Sequence, residues 1–329
     1  RDVYQAYEVV SGQDVVAFRH PDTGDEHSPV DISALILASL KSSAEQFLGG
    51  EVGPAVISVP AYFGNSQREA TKQAAEQAGL EVSRIASEPV MAVTAYCFYH
   101  PDLEPGLYLV VDMGGGTLDS TVVEVTAEEV KSLATDGDRR LGSEDFSQEL
   151  LGYILEVLEE ECGVELDPDD PGDRVALFDL KDKAEKAKRQ LSRLDDTTVN
   201  AMAGGEQTMV MITRDLLEDR CRPYIERSRE LTRSAIEKGA GDSSSLVGVV
   251  LVGGGTRKPC VRRMVEEVTG GVPILDDIST DLAVAQGCAV EAYSLSGGAR
   301  RVLPTREVTE ATTFDIGVAA HKMGDSDPT

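Results

Sequence analysis

Two glycine-rich strings close strongly apolar runs, LYLVVDMGGGT at 107–117 and VGVVLVGGGT at 247–256. A turn without Cβ atoms lets backbone N–H groups approach an anion closely, so each string is a candidate phosphate cradle. Neither has the GK[ST] ending of a P-loop or the GxGxxG spacing of a dinucleotide fingerprint. Taken alone, GGGT describes a tight structural turn equally well. A third string, EKAKRQLS at 185–192, puts Glu185, Lys188 or Arg189, and Ser192 on one face of a helix. That face could grip a polar ligand, but composition alone describes a solvated charged helix with i,i+3 and i,i+4 pairs.

The elements that must hold these strings are legible in the patterning. Apolar positions at helical spacing over 32–49, stopped by Gly49-Gly50, predict a helix. PAVISVP at 54–60 predicts a buried strand closed by proline. Ser66 and Glu69 have capping-box spacing and predict a helix through Gly79, followed by a strand over 80–86. Proline suits a first helical turn, which predicts a helix from Pro89 to Tyr99. Residues 107–125 read as two strands around a tip at Gly114–Gly116, with VKSLATDGD as a third strand. Helices are expected over 143–162 and 173–194. The strand TMVMIT and a single long helix from Arg214 to Lys238 come next. GDSSS at 241–245 reads as a surface loop before the second glycine string, which leads into the helix KPCVRRMVEEVTG. A last helix is expected around 281–296, then a polar stretch and a strand-like tail, TTFDIGVAA.

Composition narrows the function classes. Acidic side chains outnumber basic ones 58 to 31, a net charge of −27. Such a field repels nucleic acid except at a local basic pocket; a well-solvated acidic surface explains it, with a halophilic source as an alternative. No apolar run is long enough to span a membrane, and no signal peptide is expected at the start. The five cysteines and four histidines are scattered without metal-ligand spacing. Neither zinc nor a disulfide framework is expected, and a reducing compartment, cytoplasmic or organellar, follows as the default.

The combination of strings is far more specific than its parts. VPAYFGNSQREATKQAAEQAGLEVSRIASEP (59–89), VVDMGGGTLD (110–119), DGDRRLGSEDF (136–146), EKAKRQLS (185–192) and VLVGGGTRKP (250–259) occur in that order. Together they resemble the nucleotide-binding domain of DnaK-type, 70-kDa heat-shock chaperones over about residues 28–300. The resemblance implies an α/β, two-lobed actin-like ATPase fold, with ribonuclease-H-like sheets and flanking helices and ATP or ADP with Mg2+ in the cleft. It implies that residues 1–28 end the small subdomain of lobe I, and that 29–104 with 277–300 form its large subdomain. Residues 105–141 with 222–276 would form the large subdomain of lobe II, and 142–221 the small one. Residues 301–329 would be a linker and the first strand of a β-sandwich.

Carried over position by position, Gly114 and Gly115 with Thr117 would cradle the β- and γ-phosphates through their N–H groups and the threonine hydroxyl. Asp112 would face Mg2+ through water. Glu88 matches the acid near the γ-phosphate and attacking water, Asp119 helps position that water, and Thr117 completes the catalytic group. Glu185, Lys188, Arg189 and Ser192 would hold adenine and ribose opposite Gly253, Gly254 and Arg257. Asp281 matches a cleft acid near the magnesium waters, and Pro60 and Arg68 match positions that relay nucleotide state. Implied partners are a J-domain co-chaperone, a nucleotide exchange factor and unfolded peptide clients, the last through a further domain.

This chain departs from the pattern in places. Gly255 stands where a serine is usual, Arg139-Arg140 and Gly142-Ser143 replace Thr-His and Gly-Gly, Val90-Met91-Ala92 replaces Thr-Ala-Ala, and Thr280 replaces a proline. The linker reads VLPTREVTEAT, with Pro304 and charges where leucines are usual, and Arg300, Arg301 and Arg306 read as solvated. The first phosphate loop of the family, of DxGTT type, and its lysine are expected upstream of residue 1. Three functions follow: a chaperone ATPase module, a non-hydrolysing chaperone-like scaffold, and a small-molecule kinase of the same clan. The EKAKR helix and the want of a recognisable sugar site disfavour the third.

Overall fold

The fold is known from a computed structural model, which describes residues 8–11, 16–20, 23–168, 170–297 and 307–309. The tail 312–320, Arg300, Arg301 and Arg306, and the first seven residues lie outside them. A short antiparallel sheet, β1 (Glu8–Ser11), β2 (Val16–Arg19) and β3 (Glu26–His27), leads into helix α1 (Pro29–Leu48). Ser28 caps α1 by accepting from Asp31 N, and left-handed Gly49 ends it.

Next comes a β-α-β-α passage: β4 (Ala55–Val59), α2 (Asn65–Gln77), β5 (Val82–Ser87) and α3 (Glu88–Tyr99), with β4 and β5 parallel. The start of α2 differs from expectation. Gly64 is its N-cap, and Gln67 Oε1 accepts from Gly64 N at 3.0 Å, so Ser66 and Glu69 lie inside the helix.

The central sheet carries the site. It contains β6 (Gly106–Met113), β7 (Leu118–Val125), β8 (Glu129–Asp138), β11 (Leu246–Val252), β12 (Ile274–Leu275) and β13 (Glu307–Thr309), ordered β12-β11-β6-β7-β8-β13. β6, β7 and β8 form an antiparallel meander; β11 lies parallel to β6, and β13 parallel to β8. β6 reads as a continuous apolar run because both its faces are buried. Leu109, Val111 and Met113 enter one core with Phe146, Leu150 and Val261, while Tyr108 and Val110 enter another with Val90, Met91 and Cys288.

On the first face pack α4 (Ser143–Cys162), α5 (Pro171–Leu191), the hairpin β9 (Asp196–Ala203)–β10 (Glu206–Thr213), α6 (Arg214–Arg220), α7 (Arg222–Ala240) and α8 (Pro259–Thr269). The long helix expected over 214–238 is broken at Cys221. Pro223 lacks an N–H and disfavours helical backbone before it, so a new helix starts there. On the second face α3 crosses α9 (Ala283–Leu295) so closely that a Cβ on Gly287 would overlap the Met91 carbonyl.

The stretch expected to be linker contributes β13. There Arg84 of β5 pairs with Glu291 of α9 and donates to Val308 O at 2.9 Å. Among the described residues no helix is long and apolar enough to cross a membrane.

Candidate functional site

The β6–β7 hairpin creates the acidic end of the site. Its register sets Asp112 directly opposite Asp119 across the glycine turn, an arrangement of like charges that is unfavourable in a sheet. Burial pushes Asp112 up to about 6. Burial first, then Asp112 and Glu88, push Asp119 up to about 8, with Arg139 opposing. Glu88, the first residue of α3, is pushed up to about 7 by burial and by Asp112. Asp119 is only 3% exposed, and among the described residues its Oδ1 has no hydrogen-bond partner. Gly137 makes room for it, since a Cβ there would stand 2.7 Å from that oxygen.

Above the acids lies the turn. The Gly114 N–H donates to Thr117 C=O at 3.0 Å and closes the turn, and Gly114 and Gly115 both line the cleft described below. The amides of Gly115 and Gly116 remain for a ligand. The helix α4 is pressed against the same turn: Ser143 N donates to Gly114 O at 2.9 Å and Glu144 N to Gly115 O at 2.7 Å. A Cβ on Gly142 would stand 2.5 Å from Gly115 O, so the glycine before Ser143 is needed there. The Thr117 hydroxyl lies against the Tyr62 phenol. Arg139 reaches over the Tyr62 ring at 4.9 Å and donates to Tyr62 O at 3.2 Å, tying the loop after β4 to the loop after β8.

A cleft of about 1180 Å³ opens from this turn. One wall is the end of α5, where Glu185, Lys188, Arg189 and Ser192 all line the space. Burial works to raise the Glu185 carboxyl, yet hydrogen bonds from Lys188, Ser147 and Arg189 hold it down at about 2. The i,i+3 and i,i+4 pairs of a solvated helix are thus present, but in a cleft wall. Across from them stand Gly254, Gly255, Arg257, Lys258 and Asp281.

Arg257 donates to Asp281 Oδ2 at 2.6 Å and to Thr280 Oγ1 at 3.2 Å, so Thr280 anchors the guanidinium. Asp281 therefore works at the Arg257 end, apart from Glu88, Asp112 and Asp119. Gly253 takes φ 79°, and a Cβ on it would stand 2.5 Å from Met113 O and 2.8 Å from Asp112 Oδ1. It thereby lets the second glycine turn close onto the first. Gly255 has a similar reason, because a Cβ there would stand 2.5 Å from Met113 O and press on the Met113 side chain. Pro60 and Arg68 stand outside the cleft lining; Pro60 O accepts from Phe63 N at 3.0 Å, and Arg68 Nε donates to Phe63 O at 3.2 Å.

The expected site residues thus fall into two groups: Glu88, Asp112, Thr117 and Asp119 below the turn, and the two cleft walls beyond it. A family described as Hsp70 protein matches residues 3–318. The chain belongs to the Hsp70 family. That membership accounts for the two-lobed α/β plan, and at family level it makes the chain a chaperone ATPase module that binds nucleotide with Mg2+ and works with co-chaperones and clients.

The donor set fits this cofactor. Among the described residues no three His, Cys, Asp or Glu converge to hold a metal directly, while the partnerless Asp119 oxygen and the raised carboxyls suit a hydrated cation. Sequence reasoning did not single out Lys258 or Tyr62 as site residues. Nothing in the string TRKP distinguishes a buried lysine from a solvated one.

Proposed function

We propose that this Hsp70 chain is the ATP- and ADP-binding module of a DnaK-type chaperone, in which nucleotide-driven lobe closure controls a peptide-binding domain. One observation carries the reading: a single cleft is lined at once by the first glycine turn, the α5 wall and the Arg257 turn. The subdomain boundaries given above, and a J-domain co-chaperone and nucleotide exchange factor as partners, belong to the same proposal, as do Pro60 and Arg68 as relay residues.

Asp112 would hold Mg2+ through its waters, and the cation, when bound, would supply charge neutralisation at the phosphates. Phosphoryl transfer needs little covalent help, so positioning and electrostatics carry the chemistry. The amides of Gly115 and Gly116 hold phosphate oxygens. Glu88 and Asp119 hold the attacking water, and Glu88, near neutrality, suits the acceptor of its proton. Thr117 adds a hydroxyl at the turn. Arg189 and Arg257 flank the base, and Glu185 takes the sugar hydroxyls.

Calorimetric titration with Mg-ATP and Mg-ADP tests this. Arg189→Ala should weaken binding roughly tenfold through loss of the stacked guanidinium; a folded wild-type chain that binds neither nucleotide refutes the proposal. A second reading, a non-hydrolysing scaffold, is favoured by the sparse positive charge at the acids, since Arg139 is the cation acting on Asp119 and none acts on Glu88 or Asp112 among the described residues. Nucleotide binding without ATP turnover would select it.

A further inference from the structure

Two ammonium groups converge on Ser143 at the head of α4. Lys188 Nζ donates to Ser143 O at 2.9 Å and to Ser147 Oγ at 2.8 Å, and pairs with Glu185. Lys258 Nζ donates to Ser143 Oγ at 2.9 Å and rests 4.7 Å from the centre of the Phe146 ring. Both are buried, Lys188 at 5% and Lys258 at 4% exposure, and both line the cleft.

Among the described residues Glu185 is the one carboxylate bonded to either ammonium, and it is already shared by Lys188, Arg189 and Ser147. Lys258 therefore brings a positive charge into the cleft wall with a hydroxyl and a ring face as its neighbours. An ammonium removed from water without a counter-charge is costly, and a ligand anion removes that cost. The place is defined as well, because Ser143 N is bonded to Gly114 O of the phosphate turn. Lys258 thus stands between the turn and the α5 wall, which on the nucleotide reading above is the junction of sugar and phosphates.

We propose that Lys258, set beside Lys188 across Ser143, forms an anion subsite that holds the sugar-proximal phosphate of the bound nucleotide. This rests on the nucleotide reading above. The groups facing Lys258 agree with it. Burial first, then Lys188, lower its ammonium to about 8, while Cys260 of α8, Glu185 of α5 and Cys221 between α6 and α7 act the other way. Burial pushes the Cys260 thiol up to about 11 and raises that of Cys221 further, so neither supplies an anion near neutrality.

The test compares adenosine, AMP and ADP by calorimetry on the full chain, wild type against Lys258→Met and Lys258→Arg, with thermal melting as a fold check. A charge-assisted contact of this kind is worth roughly ten- to a hundred-fold in affinity. Lys258→Met should lose that factor for AMP and ADP and leave adenosine unchanged, while Lys258→Arg keeps most of the AMP preference. Lys258→Met should also melt no lower than wild type, since it removes a lone buried charge.

Equal loss for all three ligands would make Lys258 a packing or base-wall residue and overturn the proposal, as would no loss for any. If Lys258→Met does not fold, Lys258→Gln gives the same comparison with the Ser143 hydrogen bond kept. A wild-type chain that binds none of the three overturns the nucleotide reading itself, whereas wild-type AMP binding that the variants leave unchanged overturns only the subsite.

Discussion

Asp119→Asn is the sharpest probe of the acidic end. Asp119 is 3% exposed, has a partnerless Oδ1, faces Asp112 across the hairpin, and has its pKa pushed from 3.8 up to about 8. A carboxyl whose folded pKa lies above its unfolded one binds more protons in the folded state. Stability is then lost as pH rises from about 4 to about 8, and the full penalty is present above that. Each unit is worth about 1.4 kcal/mol, so at pH 7 holding this carboxyl protonated in the fold, when it would be ionised in the unfolded chain, costs about 4 kcal/mol as an upper figure.

Asparagine removes the charge at every pH. The variant's advantage should therefore grow by about 1.4 kcal/mol per pH unit across this range and level off above pH 8. At roughly 2 °C per kcal/mol for a chain of this length, the variant should melt about 8 °C higher at pH 7, with a much smaller gap near pH 4.5. Circular-dichroism melts of ligand-free protein from pH 4.5 to 8.5 measure it. A pH-independent gap, or a variant less stable than wild type at pH 8, would refute the claim that the hairpin stores uncompensated negative charge.

Two further substitutions test the scaffold around the site. Gly287→Ala should destabilise by roughly 2–3 kcal/mol, because a Cβ meets the Met91 backbone carbonyl where α3 crosses α9; an unchanged denaturation midpoint would refute that close crossing. Arg84→Ala leaves the Glu291 carboxylate, only 6% exposed, without its guanidinium and removes the bond to Val308 O. It should cost about 2–3 kcal/mol and speed amide exchange in β13, and retained protection there would show that Arg84 does not hold the strand.

What the sequence disclosed depended on whether the signal was local. β6 and β11 are apolar without interruption because both faces are buried, and their glycine turns are visible as strings; the central sheet and its two turns were therefore legible. So was the α5 face, since the spacing of Glu185, Lys188, Arg189 and Ser192 is a property of one helix. Start and stop details were less so. Gly64 rather than Ser66 caps α2 because Gln67 reaches back to it, and both candidate caps have acceptable spacing. Pro223 was available as a breaker, but the helical pattern on both sides of Cys221 masked it.

The features set by contacts across the chain were not legible at all. Gly255 read only as a departure from the usual serine, whereas in the fold it is a place where Met113 leaves no room for a Cβ, so the departure and its cause lie 142 positions apart in the numbering. Lys258 and Ser143 make the same point in chemical terms. Each is an ordinary polar residue in its own segment, and they become a charged subsite only when the second glycine turn is folded against the head of α4. A local resemblance can place the walls of such a cleft, but the ligand group that this chain's own walls prefer is decided by pairs like this one.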